Sequence, residues 1–191
     1  MTRIAIFASG AGSNAARIIE YFRNSEKTVV ALIVSNNPSA GVLNIAAKQN
    51  IPSLLIEKEQ YFRGDAYVPY LKSKNIDFIV LAGFLWKIPS AVLLAYPNSI
   101  INLHPALLPS YGGKGMYGMN VHAAVLQSGD RESGITIHYV DEHYDNGDII
   151  FQHKCPVLPS DTPETLAEKI HKLEHQHFPK VIDQVLSLRN P

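Results

Sequence analysis

The chain has 191 residues, 46% of them hydrophobic, with 17 Lys plus Arg balanced by 17 Asp plus Glu. That length suits one domain, and a zero formal charge without a Lys/Arg stripe argues against nucleic acid as a partner. One cysteine rules out an internal disulfide framework, and no apolar run reaches the ~18 residues of a membrane span.

The start of the chain lacks the basic-then-apolar layout of a signal peptide, so the expected setting is cytoplasmic and away from membranes. "RIAIFA" at 3–8 is continuously apolar, the pattern of a strand buried on both faces. "SGAGSN" at 9–14 follows it, and "AARIIEYFRN" reads as a helix. "VVALIVS" at 29–35 is a second strand, "VLNIAAKQN" a helix and "IPSLLI" a short third strand. "RGDAYVPYLKSKN" reads as a helix despite Pro69, and "DFIVLAGF" at 77–84 and "SIINLH" at 99–104 as the fourth and fifth strands. Strands alternating with helices predict βαβ units and a parallel sheet.

Beyond residue 112 "VHAAVLQSG" is a short helix, and "GITIHYV" and "DIIFQHKCPV" flank the acidic loop "DEHYDNGD". Asn146-Gly147 between strand-like runs predicts a hairpin or a tight loop. Cys155, in the second run, reads as a small buried apolar residue. A last helix begins at Thr162-Pro163, an N-cap followed by a proline in the first turn, and Pro179 is expected to kink or divide it. The fold class is therefore α/β: a Rossmann-like, mostly parallel twisted sheet with helices on both faces and an antiparallel C-terminal extension. One domain is expected, with a nucleotide-binding half over 1–104 and a second half over 105–191.

Gly10, Gly12 and Ala15 fit the spacing G-x-G-x-x-G/A at a strand-to-helix turn, where free N–H groups and the helix dipole favour a phosphate. Between Glu26 and Glu57 there is no acidic residue for a ribose diol and no Arg for a 2′-phosphate, which counts against NAD or NADP. Ser13 and Asn14 add donors suited to a terminal monophosphate; a plain turn with an N-cap is the alternative.

Asn102 and His104 lie two apart and share one side of the fifth strand, at the carboxyl edge where open α/β sheets bind ligands. Pro105 favours extended geometry at His104. An amide beside an imidazole suits an acyl-transfer oxyanion, and the imidazole can also supply a proton. Asn-x-His alone also fits a satisfied core histidine. Asp141, Glu142, Asp145 and Asp148 are the candidates to partner the ring, although such a loop also fits a solvated turn. His171, Glu174 and His175 share a helical face, for which a solvated face is the default reading. No zinc, calcium or nucleophile-elbow spacing is present, so the chemistry expected is direct transfer without metal or covalent intermediate.

"SGAGSN", "LAGF" at 81–84, "INLHPALLPSYGG" and "HYVDEHYDNGDII", in this order and spacing, resemble the glycinamide ribonucleotide formyltransferases, folate-dependent enzymes of purine synthesis. The resemblance covers nearly the whole chain. It implies formyl transfer from 10-formyltetrahydrofolate, as cosubstrate, to the amine of glycinamide ribonucleotide, by a monomer or homodimer. His104 would donate the proton and stabilise the oxyanion, Asn102 would hold the formyl oxygen, and Asp145 would raise the pKa of His104. Gly12, Ser13 and Asn14 would hold the phosphate and Glu174 the ribose. Leu85, Trp86, Lys87 and Ile88, with the 138–145 loop, would cradle the pterin, and Arg63 would contact folate.

The chain departs from the family pattern at Leu85–Ile88, where Met-Arg is common, and in the longer stretch "YGGKGMYGMNVH". Methionyl-tRNA formyltransferase and formyltetrahydrofolate deformylase share the His-Pro motif but carry an extra domain. A non-catalytic nucleotide-binding module is the rival from another class.

Overall fold

The structure, a computed structural model, describes residues 1–63 and 65–189. Seven strands form one sheet in the order β3-β2-β1-β4-β5-β6-β7. They are β1 (Thr2–Phe7), β2 (Thr28–Ser35), β3 (Ser53–Leu55), β4 (Phe78–Leu81), β5 (Ile100–His104), β6 (Glu132–Tyr139) and β7 (Ile149–Pro156). β1 pairs in parallel with β2 and with β4, β2 pairs in parallel with β3, and β6 and β7 are antiparallel. This is the expected α/β class with an antiparallel C-terminal pair. The backbone forms two compact units, Met1–Ile101 and Asn102–Pro191.

In the first unit the central strand explains the apolar runs. Ile4, Ala5 and Ile6 on β1 and Ile79 and Val80 on β4 have no exposed surface. A strand hydrogen-bonded on both edges and covered on both faces has no polar side, so alternation disappears. Each buried Ile contributes about 1.5–3 kcal/mol from removal of its side chain from water. Helices α1 (Ser13–Phe22) and α2 (Gly41–Lys48) pack on β2 and on each other.

Between β3 and β4 the expected single helix over 63–75 is replaced by two short ones, α3 (Lys58–Phe62) and α4 (Val68–Ser73). Pro69 sits in the first turn of α4, where its missing N–H costs nothing, so the helix begins there instead of running through it. Gly64, inside the expected helix, lies outside the described residues. A further helix, α5 (Ser90–Ala95), was not anticipated; it is closed by Tyr96-Pro97.

In the second unit α6 (Met119–Ser128) and the long α7 (Pro163–Arg189) pack together, and α7 also packs on β6 and β7. Thr162 and Thr165 cap α7 reciprocally: Thr165 N–H donates to Thr162 Oγ1 at 3.3 Å and Thr162 N–H to Thr165 Oγ1 at 2.9 Å. Pro179 does not divide α7, which continues as helix to Arg189 with Phe178, Pro179, Val181 and Ile182 all buried. Tertiary packing over that stretch outweighs the loss of one intrahelical bond. Cys155 is half-buried on the edge strand β7, not fully buried as expected. Among the described residues no helix is long and apolar enough to cross a membrane.

Candidate active site

β5 ends in the Asn102–His104 pair, and the second unit builds a polar cluster around it. His104 is 3% exposed, His138 2% and Asp145 12%. The chain after His104 is held by Thr136 of β6, which accepts from Leu108 N–H at 3.0 Å and donates to the Ala106 carbonyl at 2.7 Å. Gln152 of β7 donates to the Leu108 carbonyl at 2.9 Å. The break after the strand is therefore anchored side chain by side chain to its antiparallel neighbours.

Asp145 lies in the β6–β7 loop with φ of 52°, in the left-handed region that few residues other than Gly, Asn and Asp adopt. The loop closes with a Tyr139 N–H bond to the Asp148 carbonyl at 2.9 Å. Gly147 is required there, because a Cβ would run into the Tyr139 carbonyl. Asp145 Oδ2 lies 3.5 Å from His104 Nδ1 and accepts from Gly113 N–H at 2.9 Å. Oδ1 lies 3.6 Å from His138 Nε2 and accepts from Asn102 Nδ2 at 3.3 Å. Of the four acidic residues in the loop, Asp145 is the one whose carboxylate approaches His104, at 3.5 Å.

The tautomers follow from the partners. A backbone carbonyl only accepts, so His104 donates from Nε2 to the Tyr111 carbonyl at 2.8 Å, and His138 donates from Nδ1 to the Tyr139 carbonyl at 2.7 Å. With Nδ1 donating, Nε2 of His138 accepts from Asn102 Nδ2 at 3.1 Å. Both amide hydrogens of Asn102 thus have partners, His138 and Asp145. A formyl oxygen can receive one of them only by exchange, which modifies the simple expectation of a free donor.

Burial pulls the pKa of His104 down, while Asp145 and the Tyr111 carbonyl pull it up and His138 pulls it down; the net is below the ordinary value. The expected raising by Asp145 is thus present as a contribution but is outweighed by desolvation. For Asp145 burial pushes the pKa up. The His138 and His104 rings beside it and the Gly113 N–H together outweigh that, and the carboxyl stays below its ordinary range.

The sequence reading did not single out His138, Tyr111, Gly113 or His122. His138 falls on the face opposite Ile135 and Ile137 of an alternating strand and reads as part of its polar side; its contact with Asn102 shows its place in the cluster. His122 on α6 is 2% exposed, has no partner at Nδ1, and has its pKa lowered to about 4 by burial, His171 and His104.

Glu174 on α7 is 6% exposed, whereas its neighbour His171 is exposed. The default of a solvated face is overturned for Glu174: it points to the interior side of a helix packed on β6 and α6. Glu174 lies in the same unit as His104, Asn102 and Asp145.

In the first unit the glycine loop links β1 to α1. Gly12 is the N-cap with φ of 82°. A Cβ there would also come within 2.8 Å of Val42 Cα, and one on Gly41 within 2.9 Å of the Ala11 carbonyl. Glycine is thus demanded both by backbone conformation and by the approach of α2. Ser13 is exposed and Asn14 half-buried at the first turn of the ten-residue α1. Where a dinucleotide site would want an acid, Ser35 is buried and donates to the Asn37 carbonyl at 3.3 Å.

The segment after β4 is fixed by a bond from Leu85 N–H to Ser9 Oγ at 2.9 Å. Leu85 is half exposed, Ile88 is buried, and Lys87 is exposed. Trp86 packs on Tyr61 and Phe62 of α3, each with ring centroids 5.6 Å away, so the tryptophan at this family-variable position is held by an aromatic cluster of its own unit. Arg63 is exposed and pairs with Glu59 at 3.4 Å. Among the described residues no group of three or more His, Cys, Asp or Glu side chains could hold a metal ion.

A family model described as formyl transferase matches residues 2–182. Phosphoribosylglycinamide formyltransferase of Bacillus subtilis (strain 168) is 38% identical over 195 residues, which cover 100% of this chain and 97% of that protein. The chloroplastic phosphoribosylglycinamide formyltransferase of Arabidopsis thaliana is 40% identical over 98% of this chain and 66% of its own length. The cowpea (Vigna unguiculata) counterpart is 42% identical, and the match covers 62% of it, so the chain spans roughly two thirds or less of these plant relatives. Among solved structures, glycinamide ribonucleotide transformylase 1 from Geobacillus kaustophilus superposes with a TM-score of 0.88 at 36% identity, over 97% of this chain and 99% of that one.

Proposed function

The chain belongs to the formyl transferase family, and from that premise we propose that it transfers the formyl group of 10-formyltetrahydrofolate to the amine of glycinamide ribonucleotide. The observation that carries the reading is the buried His104–Asp145 pair with Asn102 beside it, on a chain similar throughout to proteins named for this reaction. The neutral amine attacks the formyl carbon, and a tetrahedral intermediate forms with its charge on the formyl oxygen. The bond from carbon to the folate nitrogen then breaks, that nitrogen gains a proton, and the attacking amine loses one.

His104 supplies the proton and stabilises the oxygen. Its lowered pKa makes the ring a stronger acid once protonated, and the Asp145 carboxylate supports the imidazolium while it exists. Asn102 gives one amide hydrogen to the oxygen by releasing His138 or Asp145. Asp145 tolerates that release because Gly113 N–H still satisfies it. Gly12, Ser13 and Asn14 hold the phosphate through the N-terminus of α1. Glu174 accepts from the ribose hydroxyls. Leu85, Trp86, Lys87 and Ile88, with the 138–145 loop, contact the pterin, and Arg63 is assigned to the outer, charged part of the folate. The setting proposed is cytoplasmic, as a monomer or homodimer.

His104→Ala tests the assignment: turnover should fall by about 100-fold or more, while glycinamide ribonucleotide still binds in calorimetry. Retained turnover would remove His104 from the mechanism. Loss of ribonucleotide binding together with turnover would make it a structural residue.

A further inference from the structure

The turn that follows His104 carries a device that the chemistry above does not use. Tyr111 has φ of 57°, an unfavourable left-handed conformation for an aromatic residue. That conformation persists only where surrounding contacts over-determine it. Here the contacts sit at the two ends of the residue. Its carbonyl accepts from His104 Nε2 at 2.8 Å. Its hydroxyl donates to Asp130 Oδ2 at 2.5 Å and lies 2.5 Å from Ser128 Oγ. Ser128, the last residue of α6, is then the donor to the Tyr111 hydroxyl, and Asp130 follows the left-handed C-cap Gly129. The far end of the tyrosine is thus tied to a helix terminus.

Two residues further along the same turn, Gly113 N–H donates to Asp145 Oδ2. One turn therefore meets both members of the His104–Asp145 pair. It fixes the Nε2–H tautomer on one and orients the carboxylate of the other.

We propose that Tyr111 is a positioning residue: its hydroxyl, clamped between Ser128 and Asp130, holds its own backbone carbonyl on His104 and so sets the tautomer and angle of the ring. The kinetic part of this inference rests on the formyl-transfer reading; the structural part does not. Asp130 is exposed and, with Tyr111, lines a cavity of about 410 Å³. Removing the phenol hydroxyl therefore leaves no buried charge unpaired, and Tyr111→Phe should fold.

Two readouts test the proposal. In the protein without substrates, the His104 Nε2–H proton, identified by its loss in His104→Ala, should be a slowly exchanging NMR signal. In Tyr111→Phe its exchange should be at least about tenfold faster, because the carbonyl is no longer held. In single-turnover formyl transfer, Tyr111→Phe should lower the rate about tenfold, with the affinities for both substrates within about twofold of wild type. The double variant with Asp130→Ala should lose no more than Tyr111→Phe alone, since both changes cut one linkage. An unchanged His104 signal, a loss expressed only in substrate affinity, or losses that multiply in the double variant would each overturn the role. If the wild type transfers no formyl group, the functional reading fails, and the NMR signal still decides the role of Tyr111.

Discussion

At the scale of single residues, the chemistry is concentrated in groups whose partners leave little choice of protonation. His104 and His138 each have one nitrogen committed to a carbonyl, and Asp145 stands between the remaining two nitrogens. Asn102 and His104 were legible because a strand edge followed by proline is an unusual place for two polar side chains. Spacing alone narrowed the partner of His104 only to a loop of four acids, since loop geometry is not periodic, and the family resemblance pointed to Asp145. His138 was invisible for the opposite reason: it obeys the alternation of its strand.

His122 gives a prediction at this scale. It is held at about 4 in the folded protein against an ordinary value of 6.5, by burial and by the neighbouring His171 and His104. Between those values the unfolded chain binds a proton that the folded chain refuses. Stability is therefore fully present above pH 6.5 and is lost as the pH falls toward 4, by on the order of 3 kcal/mol. In His122→Gln, the unfolding free energy measured by denaturant titration should fall less steeply over that window. An identical slope in variant and wild type would show that His122 is not held neutral.

At the scale of elements, the long strands and helices were readable from periodicity, while α3 and α5, of five and six residues, are too short to repeat a helical pattern. The loop–α1 junction makes a sharp prediction. Gly12→Ala would strain a φ of 82° and press its Cβ against Val42. Ribonucleotide affinity should fall at least about tenfold, alongside a loss of stability of about 1 kcal/mol or more. Calorimetry and denaturant titration read the two effects separately, and unchanged affinity would remove the loop from phosphate binding. At the start of α7 the reciprocal threonine cap is worth a measurable amount. Thr162→Ala should cost about 1 kcal/mol of stability with no change in turnover. A variant as stable as wild type would mean that the packing of α7 alone fixes its start. That same packing explains why Pro179, an apparent helix breaker in the sequence, sits within a continuous helix.

At the scale of the whole molecule, the apolar runs of β1, β2 and β4 define the parallel sheet. The Asn146-Gly147 signal marks the antiparallel pair that brings Asp145 to the His104 cluster. The burial of Glu174 was not legible, because a helix face with His171, Glu174 and His175 looks polar until its neighbours are known. The stretch "YGGKGMYGMNVH" departs from the family pattern, and its residues Tyr111 and Gly113 bond to His104 and Asp145.

The most direct test of the central claim is an assay of the purified protein with glycinamide ribonucleotide and 10-formyltetrahydrofolate, following formylation of the amine. Turnover is expected near neutral pH, falling toward acid pH as the attacking amine becomes protonated. Absence of formyl transfer from a folded wild-type protein would contradict the account.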